Sequence, residues 1–204
     1  SGLEKADEGI VEKRSIAHKP QYLKPIEGKV IDYLKNLAGE EFESGWYKQN
    51  ILIKLNIKHI LEHNISELSG GELQKVHIAA TLSTKAEIFA LDEPSAFIDI
   101  EDRLKVAEVI KEFTLKKEVC TIVVDHDVQF IDYLSDSMLV FEGVPGKEGS
   151  VFGPCTKKDG MNHILKMLDI TYRKDKLTNR PRINKPDSQL DQGQKSKGNY
   201  YLTE

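Results

Sequence analysis

Two apolar runs that each end in ionisable residues constrain this chain more than any other feature. They are "EIFALDEP" (87–94) and "EVCTIVVDHD" (118–127). Short, continuous apolar runs of this kind read as strands buried on both faces, as in a parallel sheet. Between them, "IDIEDRLKVAEVIKEFTLKK" (98–117) spaces apolar residues at three and four, the pattern of an amphipathic helix. "VQFIDYLSD" reads as another helix and "SMLVFEG" as a third strand. Strand, helix, strand, helix, strand with short joins predicts an α/β domain with a parallel sheet and crossover helices. Such sheets hold ligands beyond the carboxyl ends of their strands. Asp92, Glu93, Asp125, His126 and Asp127 all fall at that edge.

Upstream, "IVEKRSIAHKPQYLKP" (10–25) reads as a short strand running into a loop bounded by Pro20 and Pro25. Gln21 lies in that loop. Residues 30–65 are predicted mostly helical. After Gly71 a long helix carries Leu73, Val76, Ala79, Ala80 and Ser83 along one face. Ser69-Gly70-Gly71 at its start has two readings: an anion site made by the helix N-terminus, or a plain N-cap with a flexible entry. Phosphate-binding chains of this kind also use a G-x-x-x-x-G-K-[ST] loop, and these 204 residues contain none. From Gly143 the pattern loosens into the turn-rich "GVPGKEGSVFGP", a short helix around "GMNHILKMLDI" and a basic tail.

Composition narrows the classes. No apolar run approaches the ~20 residues of a membrane span. The two cysteines, Cys120 and Cys155, make neither a disulfide nor a metal framework, and Cys120 reads as a buried reduced thiol. A reducing, cytoplasmic setting is expected. Residues 171–204 carry eight Lys/Arg against four Asp/Glu, so the chain's net charge of −4 divides into a +4 tail and a −8 body. A tail of that sign suits a partner bearing phosphates or carboxylates, and equally a solvated tail with no partner.

The strand-end acids suggest chemistry. Asp92 and Glu93 are neighbours on a strand, so their side chains diverge. One can then face a Mg²⁺ shell and the other an attacking water, the division phosphoryl transfer requires. The structural alternative is a pair of acids before a helix N-terminus. His126 can offer a hydrogen bond or partial positive charge to a phosphate, although a lone His at a strand end is more often structural. Its neighbours Asp125 and Asp127 either orient it or cap the next helix.

The order of these pieces is more specific than any one of them. "KPQ", "LSGGE", "LDEPSAFID" and "VVDHD" resemble, in sequence and spacing, the Q-loop, signature, Walker B with D-loop, and H-loop of ABC-type ATPases. The resemblance implies a P-loop NTPase fold with a parallel-sheet core and a helical signature subdomain. It implies ATP and Mg²⁺ as ligands. Asp92 and Gln21 would surround Mg²⁺, Glu93 would polarise the hydrolytic water, and Gln21 would sense both. His126 would contact the γ-phosphate, and Asp99 would couple the two sites of a dimer. Ser69, Gly70, Gly71 and Glu72 would face a nucleotide held by an opposing domain's Walker A.

The C-terminal segments "GVPGKEGSVFGP", "NRPRINK" and "KSKGNYYL" resemble one subfamily, the E subfamily of ABC proteins, ribosome-recycling ATPases that include RNase L inhibitor. The match is to the second of its two nucleotide-binding domains. It divides the chain into a strand and Q-loop (1–25), a helical signature subdomain (26–84), a Walker B to H-loop core (85–142) and a hinge-like segment (143–204). Implied partners are the first nucleotide-binding domain of the same protein, ribosomal subunits and translation factors, with no membrane. Arg180, Arg182 and Lys185 in the hinge-like tail would join the two domains or approach ribosomal RNA. Walker A and the adenine-stacking aromatic before it are absent. So are the family's iron–sulfur domain and first nucleotide-binding domain, so no iron–sulfur cluster is expected here. The expectation is therefore a fragment truncated before Ser1 and inactive by itself. The alternatives are an ATPase domain of another ABC subfamily, a non-enzymatic module lending its signature to a partner's ATP site, or a nucleic-acid-binding protein using the tail.

Overall fold

The computed structural model describes residues 9–10, 12–23, 26–175 and 181–202. The chain divides into two compact units, 1–134 and 135–204.

The first unit is built on a parallel sheet of β1 (Ile16–Lys19), β2 (Ile88–Asp92) and β3 (Cys120–Val124), in that order. The register aligns Ile16 with Ile88 and Cys120, and Lys19 with Leu91 and Val123. Between β1 and β2 run α1 (Val30–Ala38), the short α2 (Gly45–Tyr47) continuing into a wide π turn, and α3 (Gly70–Ser83). The stretch 30–65 is helical as expected but broken, with 3₁₀ turns at Gly39–Glu43, Lys58–Ile60 and Ile65–Glu67. Helix α4 (Ile100–Lys117) links β2 to β3, and α5 (Val128–Leu134) follows.

Ala17, Phe89 and Leu91 join Leu34, Val76, Ile78, Val106 and Ile110 in one core, and Phe89 meets Phe113 of α4 edge-on at 5.0 Å. The expected single apolar face of α3 is an understatement: every residue from Gln74 to Leu82 is buried.

The sheet departs from expectation in two ways. The strands are covered on one face only. The other face carries Ile16, Ile122 and Val124 at 39, 49 and 59% exposure, and Cys120, expected to be buried, is exposed beside them. The order β1-β2-β3 advances one way across the sheet, and right-handed crossovers that advance one way stack on one face.

The second departure is "SMLVFEG", which is not a third parallel strand. As β4 (Ser137–Val144) it pairs antiparallel with β5 (Glu148–Thr156) in the second unit. The segment read as loose is the end of β4, the turn of this hairpin and most of β5. Pro145 and Gly146 stand at the centre of the turn, Gly146 at φ +73°, and Lys147 N–H donates to the Val144 carbonyl at 3.0 Å. Pro followed by a left-handed Gly suits a type II turn. The segment boundary expected at 142/143 thus falls inside β4.

Helix α6 (Lys157–Met167) packs on the hairpin. A second sheet joins β6 (Tyr172–Lys174) to β7 (Pro181–Ile183) and to β8 (Tyr201–Leu202), with α7 (Gln189–Ser196) between β7 and β8. A buried polar network holds this end together. Asn184 donates to Thr171 Oγ1 at 2.9 Å and to Gln194 Oε1 at 2.6 Å, and Thr171 donates to Asp191. Tyr172 stacks on Tyr201 at 5.4 Å. "NRPRINK" and "GNYYL" are therefore partly core, through Asn184 and Tyr201.

Candidate nucleotide site

Because β1, β2 and β3 are parallel, their carboxyl ends share one edge, and the sequence places Gln21, Asp92–Glu93 and Asp125–Asp127 there. Glu93 sits in the left-handed region at φ +45°, an uncommon conformation for a residue with a Cβ. Its N–H donates to the Val124 carbonyl at 2.7 Å, stitching the end of β2 to the end of β3. In this posture Glu93 Oε1 lies 3.6 Å from His126 Nδ1. That is too long for a hydrogen bond but close enough for a shared ligand or water. The His126 side chain is 74% exposed.

The two flanking acids act as caps. Asp125 accepts from Ser95 N–H at 3.0 Å, Ser95 Oγ at 2.7 Å and Asp127 N–H at 2.9 Å, pinning the turn after Glu93. Asp127 Oδ1 accepts the N–H groups of Gln129 and Phe130 at the start of α5, while Oδ2 receives Arg103 at 2.6 Å. Burial opposes ionisation of Asp127, but these donors outweigh it and hold its carboxyl below the usual range.

Two contributors to this edge escape sequence reasoning. Lys19 is 1% exposed, and its Nζ donates to the carbonyls of Asp92 at 2.7 Å and Pro20 at 3.2 Å. Burial pushes its ammonium down to about 8 despite the nearby charges of Asp92, Asp125 and Glu93. Gln74 of α3, also 1% exposed, donates to the Glu93 carbonyl at 2.7 Å. Lys19 shares the strand phase of Ala17, so its inward direction is legible in "IAHK". Nothing in the sequence hinted at the role of Gln74.

Asp92 is half-buried, and among the described residues no group of three His, Cys, Asp or Glu side chains converges on a metal position. A single strand-end carboxylate fits Mg²⁺, which is commonly held by one or two carboxylates plus substrate phosphates and waters. Gln21 is exposed in the bend after β1.

A second cluster surrounds the start of α3. Ser69 is a true N-cap in a capping box: its Oγ accepts Glu72 N–H, and its own N–H donates to Glu72 Oε2 at 2.9 Å. The bonds from Ser69 hold the Glu72 carboxyl low. The cap satisfies the third turn position and leaves the N–H groups of Gly70 and Gly71 to outside acceptors. A cleft of about 160 Å³ gathers Ser69, Gly71 and Glu72 with Phe97, Asp99 and Asp102. A Cβ on Gly71 would lie 2.7 Å from the Phe97 carbonyl oxygen, so only glycine admits the loop there. Lys75 anchors α3 to α4 through Asp102 at 3.0 Å.

Of the tail residues, Arg180 lies outside the described residues. Arg182 on β7 pairs with Asp175 at 3.4 Å, and Lys185 is exposed just beyond that strand.

A parallel sheet with acid and histidine at adjoining strand ends, and a glycine-opened helix packed against it, defines a nucleotide-binding domain of the ABC type. The ABC transporter family matches residues 2–96. An uncharacterized ABC transporter ATP-binding protein of Methanocaldococcus jannaschii is 46% identical over 208 residues, covering 100% of this chain and 34% of its own length. The translation initiation factor RLI1 of Saccharomyces cerevisiae is 38% identical over 205 residues, covering 99% and 34%. A solved complex of the archaeal ribosomal stalk protein aP1 and the archaeal ribosome recycling factor aABCE1 matches with a TM-score of 0.91 and 45% identity, across 98% of this chain and 39% of the other. The chain belongs to the ABC family, in the E subfamily of RLI1 and RNase L inhibitor. It spans about a third of the length of the curated relatives it matches.

Proposed function

We propose that this chain supplies the catalytic edge of one ATP site and the signature edge of another, in a two-domain ATPase of translation and ribosome recycling. The observation that carries the reading is the approach of Glu93 Oε1 to His126 Nδ1, 3.6 Å, at a strand edge next to Asp92. Glu93 polarises the attacking water, and His126 donates a hydrogen bond to the γ-phosphate. Gln21 would sense the water and the metal. Asp92 and Gln21 would hold Mg²⁺, which would neutralise phosphate charge when bound.

The free N–H groups of Gly70 and Gly71, with Ser69 and Glu72 fixing the helix end, meet the phosphates of a nucleotide carried by the first nucleotide-binding domain of the same protein. Asp99, in the same cleft as Ser69, couples the two sites. The names of the relatives, a translation initiation factor and a ribosome recycling factor, support ribosomal subunits and translation factors as partners. Arg180, Arg182 and Lys185 serve the domain hinge or a ribosomal RNA contact. The protein works in the cytoplasm; among the described residues no helix is long and apolar enough to cross a membrane.

The 204 residues alone are expected to hydrolyse ATP negligibly, because they contain no phosphate loop to hold it. Single-turnover hydrolysis by this chain is compared with that of a form joined to its phosphate-loop segments. Equal rates would refute the dependence. In the joined form, Glu93→Gln should lower the rate by roughly 100-fold or more while ATP still binds; unchanged turnover removes Glu93 from the catalytic role. Should the chain act only as a lender of its signature, a partner with its own Walker A would be captured in an ATP-dependent way and Glu93→Gln would be silent.

A further inference from the structure

We propose that Gln74 is a positioning residue for the Glu93 carboxylate, tying the helix that opens at Ser69 to the catalytic edge of the same domain. The inference rests on the role given to Glu93 above. Glu93 occupies a left-handed conformation at φ +45°, which a non-glycine residue holds only where its surroundings over-determine it. Its N–H is fixed by Val124 O at 2.7 Å. Its carbonyl receives Gln74 Nε2 at 2.7 Å, with longer approaches from Ala96 N–H at 3.3 Å and Lys19 Nζ at 3.5 Å. The bond from Gln74 is the short one, and it comes from a side chain 1% exposed.

These two anchored backbone groups flank the Glu93 Cα and so set the direction of its side chain toward His126. Gln74 sits five positions after Ser69 on one continuous helix, α3, which spans Gly70–Ser83. Lys75, next to it, is clamped to Asp102 of α4, and Gly71 is in contact with the backbone of Phe97. A displacement of the α3 start by a phosphate therefore reaches the Glu93 carbonyl through one rigid helix and one hydrogen bond. Signature and catalytic acid belong to different ATP sites, so Gln74 makes the occupancy of one felt at the chemistry of the other.

A merely structural glutamine and a positioning one differ in what Gln74→Met does. Methionine keeps the volume and removes the donor. In the form joined to its phosphate-loop segments, Gln74→Met is expected to lower single-turnover hydrolysis at saturating ATP by roughly 10- to 100-fold, as misplacement of a reacting group does. ATP affinity should stay within about twofold, since Gln74 makes no contact that binds ground state and transition state alike. In a Glu93→Gln background the same substitution should cost nothing further, because Gln74 acts through Glu93.

A rate unchanged by Gln74→Met, or a loss of equal size in both backgrounds, overturns the proposal. Full activity of Glu93→Gln alone overturns the catalytic reading beneath it instead, so the two failures are distinguishable. Should Gln74→Met not fold, Gln74→Asn, one methylene too short to keep the 2.7 Å bond, is read by the same two measures.

Discussion

The buried ammonium of Lys19 makes a quantitative prediction about stability. Its Nζ is packed under the carboxyl-end edge of the sheet, donating to Asp92 O at 2.7 Å and Pro20 O at 3.2 Å, and burial lowers its pKa from 10.5 to about 8. A drop of that size means that the fold disfavours the charged form by about 3 kcal/mol. Below pH 8 the lysine is protonated in both the folded and unfolded chain, and the burial cost is present in full. Between pH 8 and 10.5 the unfolded chain keeps a proton that the folded chain has lost, so unfolding free energy rises with pH. From pH 7 to pH 10 the gain is about 2.5 kcal/mol.

Lys19→Met removes this term. At pH 7 it relieves the buried charge but removes the donor to the Asp92 and Pro20 carbonyls, at about 1–3 kcal/mol each, so the variant should lie at or somewhat below the wild type. Urea unfolding of both chains at pH 7, 8, 9 and 10 isolates Lys19 in the difference, where other titrations cancel. The wild type should pull ahead by about 2.5 kcal/mol toward pH 10. A gap independent of pH would refute the argument.

Two further perturbations test the geometry around the glycine-opened helix and the strand ends. Gly71→Ala places a Cβ 2.7 Å from the Phe97 carbonyl and should cost about 1–3 kcal/mol in urea unfolding. Gly70→Ala meets only the Phe97 side chain at 3.7 Å and should be nearly silent; equal effects would show that the close approach is not what Gly71 serves. Asp125→Asn weakens the acceptor for Ser95 N–H, Ser95 Oγ and Asp127 N–H. It should cost about 1–2 kcal/mol in the same unfolding assay, and an unchanged midpoint would show that the turn after Glu93 holds without that charge.

The linear pattern alone determined the parallel strands β2 and β3, the helix α4 between them, and the helix that begins after Ser69. Each depends on periodicity and termini that neighbouring residues carry: apolar runs ended by acids, apolar spacing at three and four, a Ser-Gly-Gly start. The edge that gathers Glu93 and His126 was legible for the same reason, since parallel strands put their carboxyl ends together whatever their loops do. Periodicity could not say which sheet "SMLVFEG" joins, because an apolar strand looks the same in a parallel sheet and in a hairpin. Pairing with β5 across Pro145-Gly146 decided it. Nor could it say that Cys120 and Val124 face outward, since that depends on which face the crossover helices stack. The tasks of Asp125 and Asp127 stayed open for the same reason, and tertiary contacts made them caps of Ser95 and α5. Lys19 and Gln74 are the clearest case. Their partners are main-chain carbonyls 73 and 19 residues away, and a hydrogen bond to a backbone group leaves no trace in the identity of the residue that accepts it.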